Sequence, residues 1–178
     1  MAGLFWRRPL LPQERDFARQ HFGPSLDALL PGVHLYLRRV GDTRRALSLN
    51  GGRISMPRVC FTQGDPRQPL LLAHPRIAGC FAHELLHEWQ RARGVAVTRQ
   101  ALGLQLRHLL GGRSPYAYPR CGDAQATRDC FALAQVEQQG QIWEDHVRAC
   151  VAGRPAEEFA LIAAEVRGDG ATARSRRV

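Results

Sequence analysis

Apolar residues recur at helical spacing in five stretches of the chain. The first helix is predicted to begin at Pro12, because proline is favoured in the first turn of a helix, and to end at Gly23. A long helix is predicted over residues 75–93, with Gly94 as its end. The remaining three are predicted at residues 98–110, 127–151 and 155–166.

Extended segments are predicted in the first third of the chain. Residues 33–40 alternate apolar and polar side chains, as a strand with one buried face does. A second strand, residues 53–61, follows the turn signal at residues 50–52. Pro57 predicts an edge position for this strand, because proline has no N–H to donate to a neighbouring strand. Strands followed by helices indicate an α+β domain.

The length and composition fit a single globular domain. The chain has 178 residues, of which 44% are hydrophobic and 23% charged, a balance that is typical of folded chains. Residues 1–167 are assigned to the domain, and the polar, basic residues 168–178 are predicted to form a disordered tail. Residues 1–11 lack the apolar core of a secretory signal, and no apolar run reaches the roughly 18 residues that span a bilayer. We therefore expect a protein made in the cytoplasm, with no membrane partner.

The positive charge of the chain is carried by arginine alone. Twenty-five arginines and no lysine stand against 16 acidic residues, for a formal net charge of +9. Guanidinium groups bind phosphates and carboxylates as forked donors. These arginines are scattered, however, and form no single stripe of the kind that follows nucleic acid. A nucleic-acid partner is therefore not expected from the charge.

The cysteine pattern excludes two common site types. The five cysteines are Cys60, Cys80, Cys121, Cys130 and Cys150. None forms a Cys-x-x-Cys pair, which argues against a zinc ribbon and against a thioredoxin-type redox site. Mostly buried free thiols are expected, and a Cys121–Cys130 bridge stays open for a protein that reaches an oxidising compartment.

The segment His-Glu-Leu-Leu-His at residues 83–87 matches the metallopeptidase pattern H-E-x-x-H. Four residues apart on a helix, His83 and His87 lie on one face and can bind the same metal ion. Glu84 is rotated by about 100° from its neighbour, so its carboxylate can reach a water held by that ion. Zinc lowers the pKa of such a water to about 7, and Glu84 is the expected general base.

The helix around this motif has the pattern of a buried element. Ile77, Phe81, Leu85 and Trp89 form one apolar stripe, and the two histidines lie on nearly the opposite side. Between residues 77 and 87 the only formal charge is Glu84. The pattern predicts a helix in the middle of the domain, beside a cleft.

A catalytic zinc needs a third protein ligand. The extended motif with a third histidine is excluded, because Arg93 stands six residues after His87 and Gln90 stands where glycine is needed. The candidates are therefore distant in sequence. They are Glu137, Glu144, Asp145, His146 and Glu165.

The helix predicted at residues 127–151 carries the favoured candidate. Its predicted core-facing stripe is Leu133, Val136, Gly140, Trp143 and Val147. Glu137 borders this stripe beside Gly140, and close approach of another helix would justify a glycine there. Glu144 lies two turns further along the same edge, about 10 Å away, so only one of the two carboxylates can meet the histidine pair.

Two blocks of sequence carry a family resemblance. These blocks are H-E-L-L-H-E-W-Q at residues 83–90 and E-Q-Q-G-Q-I at residues 137–142. Four shorter segments carry the same resemblance more weakly: L-P-Q-E at 11–14, A-R at 18–19, F-G at 22–23 and Y-A-Y at 116–118. These blocks resemble the zinc-metallopeptidase-like proteins encoded with Vgr/Rhs elements of bacterial type VI secretion clusters. Those proteins typically read H-E-x-x-H-V-W-Q and later E-Q-Q-A-E-I-V-x-D-Y.

The resemblance implies a zincin-like fold of the gluzincin type, in which a few-stranded sheet packs on the central H-E-x-x-H helix. It implies His83, His87 and Glu137 as zinc ligands and Glu84 as the base. The chain departs from the pattern at residue 141, where glutamine replaces a second glutamate, and at residue 146, where histidine replaces a common tyrosine. The glutamine can still serve as a hydrogen-bond partner beside the site.

A zinc-dependent peptidase is the leading hypothesis, with a protein or peptide as substrate. Tyr116, Tyr118 and His108 are candidates for the donor that stabilises the oxyanion. The segment Arg53 to Met56 is expected to align the substrate backbone by strand addition, as exposed sheet edges do.

Two alternatives stay open. One is a non-catalytic, zinc-bearing accessory or effector domain that binds a type VI secretion spike protein or another protein partner. The other is a DNA-associated protease, suggested by the net charge of +9 and the arginine-rich tail. The resemblance also allows delivery out of the cell by the type VI route. Metal content combined with a protease assay separates a peptidase from an accessory domain, and steep loss of binding with salt would support a DNA partner.

Overall fold

The computed structural model describes residues 6–111 and 114–169. These residues form a four-stranded sheet followed by most of the helices. The elements are β1 Arg7–Pro9, α1 Pro12–Phe22, β2 His34–Leu37, β3 Leu47–Leu49, β4 Arg53–Met56, α2 Pro75–Ala92, α3 Val97–Leu109, α4 Ala124–Leu133, α5 Val136–Val151 and α6 Ala160–Arg167. The predicted α+β class is confirmed. Residues 170–178 of the predicted disordered tail lie outside the described residues.

The sheet has the order β1-β2-β4-β3, and its strands are antiparallel except for the parallel pair β2 and β4. Leu35 and Ile54 are paired across that parallel junction, and both are completely buried. The prediction that residues 53–61 form an edge strand is wrong. The strand ends at Met56, so the missing N–H of Pro57 removes no bond from the sheet. Within the described residues the edge on this side is β3.

Helix α2 runs through the centre of the domain, as its sequence pattern predicts. Phe81 and Leu85 are completely buried, and Trp89 is almost so. The indole N–H of Trp89 donates to the carbonyl of Val166 in α6, 3.1 Å away. Helix α5 packs closely along α2, and Gly79 of α2 leaves the space that the side chain of Arg148 fills. The pair α2 and α5 therefore forms the scaffold of the molecule.

The helix predicted at residues 127–151 is two helices, α4 and α5, separated at residues 134–135. Gln135 has extended backbone angles and caps α5, and its backbone N–H donates to the side-chain carbonyl of Gln138, 3.0 Å away. The break also changes the predicted stripe. Leu133 is 88% exposed and does not belong to it, whereas Trp143 and Val147 are completely buried.

A buried carboxylate fastens the N-terminal part of the fold. Glu14 in α1 is completely buried and accepts two hydrogen bonds of 2.6 Å from the guanidinium group of Arg8 in β1. It also accepts from the backbone N–H groups of Leu11 and Leu70, at 2.8 and 3.0 Å. One side chain thus joins β1, α1 and the segment that precedes α2.

The five cysteines all lie in the described residues and are free thiols. Only Cys60 is fully buried, so the prediction of mostly buried thiols is wrong. The sulfur atoms of Cys121 and Cys130 lie 3.8 and 3.9 Å from the same carbonyl oxygen of Pro119, without a bridge between them. None of the described helices combines the length and the apolar character that crossing a membrane requires.

Candidate metal centre

Three side chains from α2 and α5 converge in the core. The Nε2 atom of His83 lies 3.2 Å from Oε2 of Glu137, and the Nε2 atom of His87 lies 3.7 Å from the same oxygen. One candidate ligand atom from each residue lies within 4.8 Å of the other two, and all three residues are buried. The structure therefore brings together the three residues that the sequence predicts as ligands, and this cluster can hold a metal ion.

Gly140 makes this convergence possible. It lies in α5 directly over the imidazole of His83, and a Cβ atom at this position would meet the ring at 2.6 Å. That separation is too short for any side chain. The glycine that the sequence associates with a close approach of two helices is thus the position where the His83 ring passes between α2 and α5.

The other nitrogen of each imidazole faces a polar side chain, and that of His87 makes a hydrogen bond. Nδ1 of His87 lies 2.8 Å from the side-chain oxygen of Gln90, whose amide N–H groups donate to the carbonyl of Val136 and to Gln139 of α5 at 3.2 and 2.7 Å. Nδ1 of His83 lies 3.3 Å from Oε2 of Glu144. A proton on Nδ1 leaves the Nε2 lone pair free toward Glu137, which is the tautomer that a metal ligand needs.

The centre carries an excess of negative charge. Burial alone would lower the pKa of His83, but its contacts with Glu137 and Glu144 raise that pKa to about 10. Burial would raise the pKa of Glu137, yet the two histidines hold it well below its usual range. The carboxylates of Glu84, Glu137 and Glu144 are buried or half-buried around the two imidazoles. This arrangement favours a bound cation. The donor set and the charge both fit a divalent metal ion.

Glu84 lies beside the cluster without belonging to it. Its side chain is buried, and it lines the same cleft as the two histidines. Burial raises the pKa of Glu84, while His83 and His87 act in the opposite direction. A carboxylate with a raised pKa next to a metal site is suited to accept a proton and to release it again.

A cleft of about 670 Å³ opens above the centre. Strand β3 forms one wall, and residues Val97, Ala101 and Leu102 of α3 form another. Arg91 fixes β3 in place, because its guanidinium donates to the hydroxyl and the carbonyl of Ser48 at 2.6 and 3.1 Å and pairs with Glu88. The expectation that Arg53 to Met56 align a substrate is wrong, because that strand is internal to the sheet. Within the described residues, the edge strand that lines the cleft is β3.

Tyr116 faces the cleft. Its ring centre lies 6.1 Å from that of His83, and the guanidinium of Arg45 lies 4.8 Å above the tyrosine ring. The side-chain amide of Gln105 donates to the Tyr116 hydroxyl oxygen at 2.9 Å. This bond leaves the phenolic proton free to be donated into the cleft.

The structure does not bring the other sequence candidates to the cluster. The hydroxyl of Tyr118 donates to Asp145 at 2.6 Å and lies away from the cleft, and His108 is not among the residues that line it. Glu165 faces Arg128 on the surface. Gln141 does line the cleft, and its amide donates to Asp145 at 3.2 Å.

His146, the remaining candidate, packs away from the metal cluster. Its ring lies against the rings of Trp143 and Phe159, at centre distances of 4.9 and 5.5 Å.

Sequence reasoning missed three residues that shape the site. Gln90 holds His87, and Gln105 holds Tyr116. The third is Glu144: the prediction that only one of Glu137 and Glu144 can meet the histidine pair is wrong, because the two carboxylates contact different nitrogens of the same His83 ring. The one available signal for Gln90 was its place three residues after His87, on the same helix face. The other two depend on how distant elements pack.

Of three comparisons with known proteins, the one against solved structures found a similar protein. Neither a scan against protein-family models nor a search of curated proteins returned a match. Among solved structures, the chain is similar to the effector domain of Pseudomonas aeruginosa VgrG2b, with a TM-score of 0.65 and 26% sequence identity over 88% of this chain and 82% of that chain. The chain is thus similar, over most of its length, to an effector domain of a VgrG protein.

Proposed function

We propose that this protein is a zinc-dependent peptidase. The observation that carries the proposal is the convergence of His83, His87 and Glu137 at the floor of an open cleft, with Glu84 buried beside them. Two imidazole nitrogens and one carboxylate oxygen are a ligand set of catalytic zinc, which keeps a further position for water or substrate. Zinc bound there would polarise the substrate carbonyl and make a water acidic at neutral pH.

Glu84 is the group that moves the proton in this reaction. Its carboxylate accepts a proton from the attacking water and later delivers it to the departing amine. Burial raises the pKa of Glu84. A carboxylate with a raised pKa is a stronger base toward the attacking water, and in its protonated form it can still deliver the proton to the amine. Because the side chain lines the cleft, a scissile bond lying over the centre is within its reach.

Tyr116 is the proposed donor to the oxyanion. It lies across the cleft from the histidines, and its oxygen is already satisfied by Gln105. The free phenolic proton can therefore be donated to the negative charge that develops on the substrate carbonyl oxygen. Tyr118 has no such role, because its proton is committed to Asp145.

We also propose that the peptidase acts as an effector of a type VI secretion system. Two similarities support this proposal: the resemblance of residues 83–90 and 137–142 to proteins encoded with Vgr/Rhs elements, and the structural similarity to a VgrG2b effector domain. Association with a secretion spike protein is the corresponding partner prediction.

The test compares the wild type with Glu84→Gln on a mixed peptide library, with products identified by mass spectrometry and zinc measured in both proteins. The substitution keeps size and hydrogen bonding but removes the base. We expect equal zinc content and hydrolysis slower by roughly 100- to 10,000-fold in the variant. Equal cleavage by both proteins would contradict the role of Glu84. A fully zinc-loaded wild type that cleaves nothing would favour the non-catalytic accessory domain.

A further inference from the structure

The cleft over the metal centre has a basic end. Arg44 and Arg45, in the loop before β3, and Arg76, in the first turn of α2, all line it. The backbone N–H of Ala46 lies close to the thiol of Cys80, one helical turn after Arg76, and lowers the pKa of that thiol against the larger, opposite effect of burial. This contact places the loop over the start of α2, so Arg44 and Arg76 lie at the same end, whereas the guanidinium of Arg45 reaches over the ring of Tyr116.

The guanidinium groups of these three arginines have no acidic partner in the part of the chain that the structure describes. No carboxylate there lies within 4.0 Å of Arg44, Arg45 or Arg76. Arg91, the fourth arginine of the cleft, differs because it is paired with Glu88 and donates to Ser48. Two of these uncompensated cations, Arg44 and Arg76, lie at one end of the cleft, where they attract a carboxylate.

The opposite end of the cleft is apolar. It is formed by Val97, Ala101 and Leu102 of α3, and Leu102 is 70% exposed. Thr98 donates to the side chain of Asn50, the residue after β3, at 2.9 Å. Strand β3 therefore runs from the arginines at its start to α3 at its end, with Glu84 between them along α2.

These positions set a length scale for a bound polypeptide. Arg76 and Glu84 are eight residues apart on α2, which corresponds to about 12 Å along the axis at about 1.5 Å per residue. An extended chain covers that distance with about four residues at about 3.3 Å each. Because an arginine side chain itself covers part of that distance, the acidic residue of the bound chain needs to lie only about two to four residues from the bond that is cut.

We propose that the substrate is an acidic polypeptide segment, which lies extended along β3 with an Asp or Glu side chain beside Arg44 and Arg76 and an apolar side chain against α3. The acidic residue lies about two to four residues from the bond that is cut. This assignment deepens the proposed peptidase function and rests on it.

The test measures binding apart from hydrolysis, in the zinc-loaded Glu84→Gln protein. The probes are two fluorescein-labelled peptides of equal length, built of Ala, Leu and Gly, which differ only in carrying three glutamates or three arginines. Adding Arg44→Glu and Arg76→Glu reverses the charge at the basic end. The matched control is Arg67→Glu with Arg154→Glu, which changes the net charge equally at two exposed positions outside the cleft.

We expect the glutamate peptide to bind at least tenfold more tightly than the arginine peptide, and Arg44→Glu/Arg76→Glu to abolish that preference while the control pair retains it. Equal binding of the two peptides, binding of neither, or equal loss in both double variants would overturn the assignment. Failure of the peptidase function is seen separately, as an acidic preference in binding without any hydrolysis by the wild type. If the wild type does cleave, its products should show Asp or Glu enriched two to four residues from the cut.

Discussion

At the scale of single residues, the metal centre depends on one missing side chain as much as on its ligands. Gly140 lets the ring of His83 lie between α2 and α5, where the Nε2 atom reaches Glu137. The glycine costs about 1 kcal/mol of helix propensity relative to alanine. The helix tolerates that cost because the ring fills the space.

The role of Gly140 can be tested with a methyl group. In Gly140→Ala the new Cβ would lie 2.6 Å from the His83 ring, so the ring must move away from Glu137. We expect at least tenfold weaker zinc affinity, measured by competition with a chromogenic chelator. The matched control is Gly103→Ala in α3, where no atom lies within 4 Å, and its zinc affinity should not change. Unchanged affinity in Gly140→Ala would show that the ring position is not critical.

Substituting Tyr116 and substituting Tyr118 should have different effects on kcat and on stability. Tyr116→Phe removes the proton that faces the cleft, and we expect kcat to fall by roughly 100-fold or more, as for other oxyanion donors, with little change in stability. Tyr118→Phe removes the bond to Asp145 and should cost about 1 kcal/mol of unfolding free energy with kcat preserved. Steady-state kinetics and urea denaturation of both variants check this, and the reverse pattern would exchange the assigned roles.

The sequence predicts the residues that form the cluster better than it predicts the side chains that hold them in position. His83, Glu84 and His87 follow from helical spacing alone, and Glu137 from its place beside Gly140. The contact of Gln90 with His87 follows helical spacing within α2, but the contacts of Gln90 with α5, of Glu144 with His83 and of Gln105 with Tyr116 could not be predicted, because each joins different segments of the chain. Their partners are set only by how α2, α3 and α5 pack.

At the scale of elements, Glu14 holds together pieces that are too short to be stable alone. Strand β1 has three residues, and its Arg8 is paired with Glu14 of α1, which also accepts from the backbone of Leu70. The short strands β1 and β3 escaped sequence prediction because three residues show no periodicity. The break between α4 and α5 escaped it because Ala134 and Gln135 are compatible with a continuous helix, and side-chain capping decides the outcome.

Removing the buried carboxylate should loosen this region. Glu14→Ala leaves the guanidinium of Arg8 and two backbone N–H groups without their acceptor. We expect a loss of about 3–5 kcal/mol in the free energy of unfolding, measured by urea denaturation. Asp16→Ala in the same helix is the control, because Asp16 is 75% exposed and pairs only loosely with Arg19; its effect should stay within about 0.5 kcal/mol. Similar losses in both variants would argue against the buried network.

At the scale of the whole molecule, the buried His21 and the half-buried His146 make stability depend on pH. Burial lowers the pKa of both His21 in α1 and His146 in α5 to about 4, and each is further disfavoured as a cation by the nearby charge of Arg167. The unfolded chain takes up these protons near pH 6.5, whereas the folded chain resists them until about pH 4. The contribution of these two histidines to stability is therefore complete above pH 6.5 and falls as the pH drops from 6.5 toward 4.

The expected loss over that pH range is of order 3 kcal/mol for each histidine. His146→Phe keeps a ring between Trp143 and Phe159 and should flatten the pH dependence of the melting temperature by about half. The measurement is thermal unfolding of both proteins from pH 4 to pH 8 in the same buffer series. A wild type whose melting temperature is constant between pH 6.5 and pH 4 would contradict the account.

The central claim concerns the ion at the junction of α2 and α5, and its most direct test is anomalous scattering at the zinc edge from crystals of the purified protein. The account predicts one zinc peak per chain, about 2.0–2.2 Å from Nε2 of His83, Nε2 of His87 and a carboxylate oxygen of Glu137, with Glu144 outside that distance and facing Nδ1 of His83. A peak coordinated by Glu144 in place of Glu137, or zinc-supplemented crystals without a peak at the histidine pair, would contradict it.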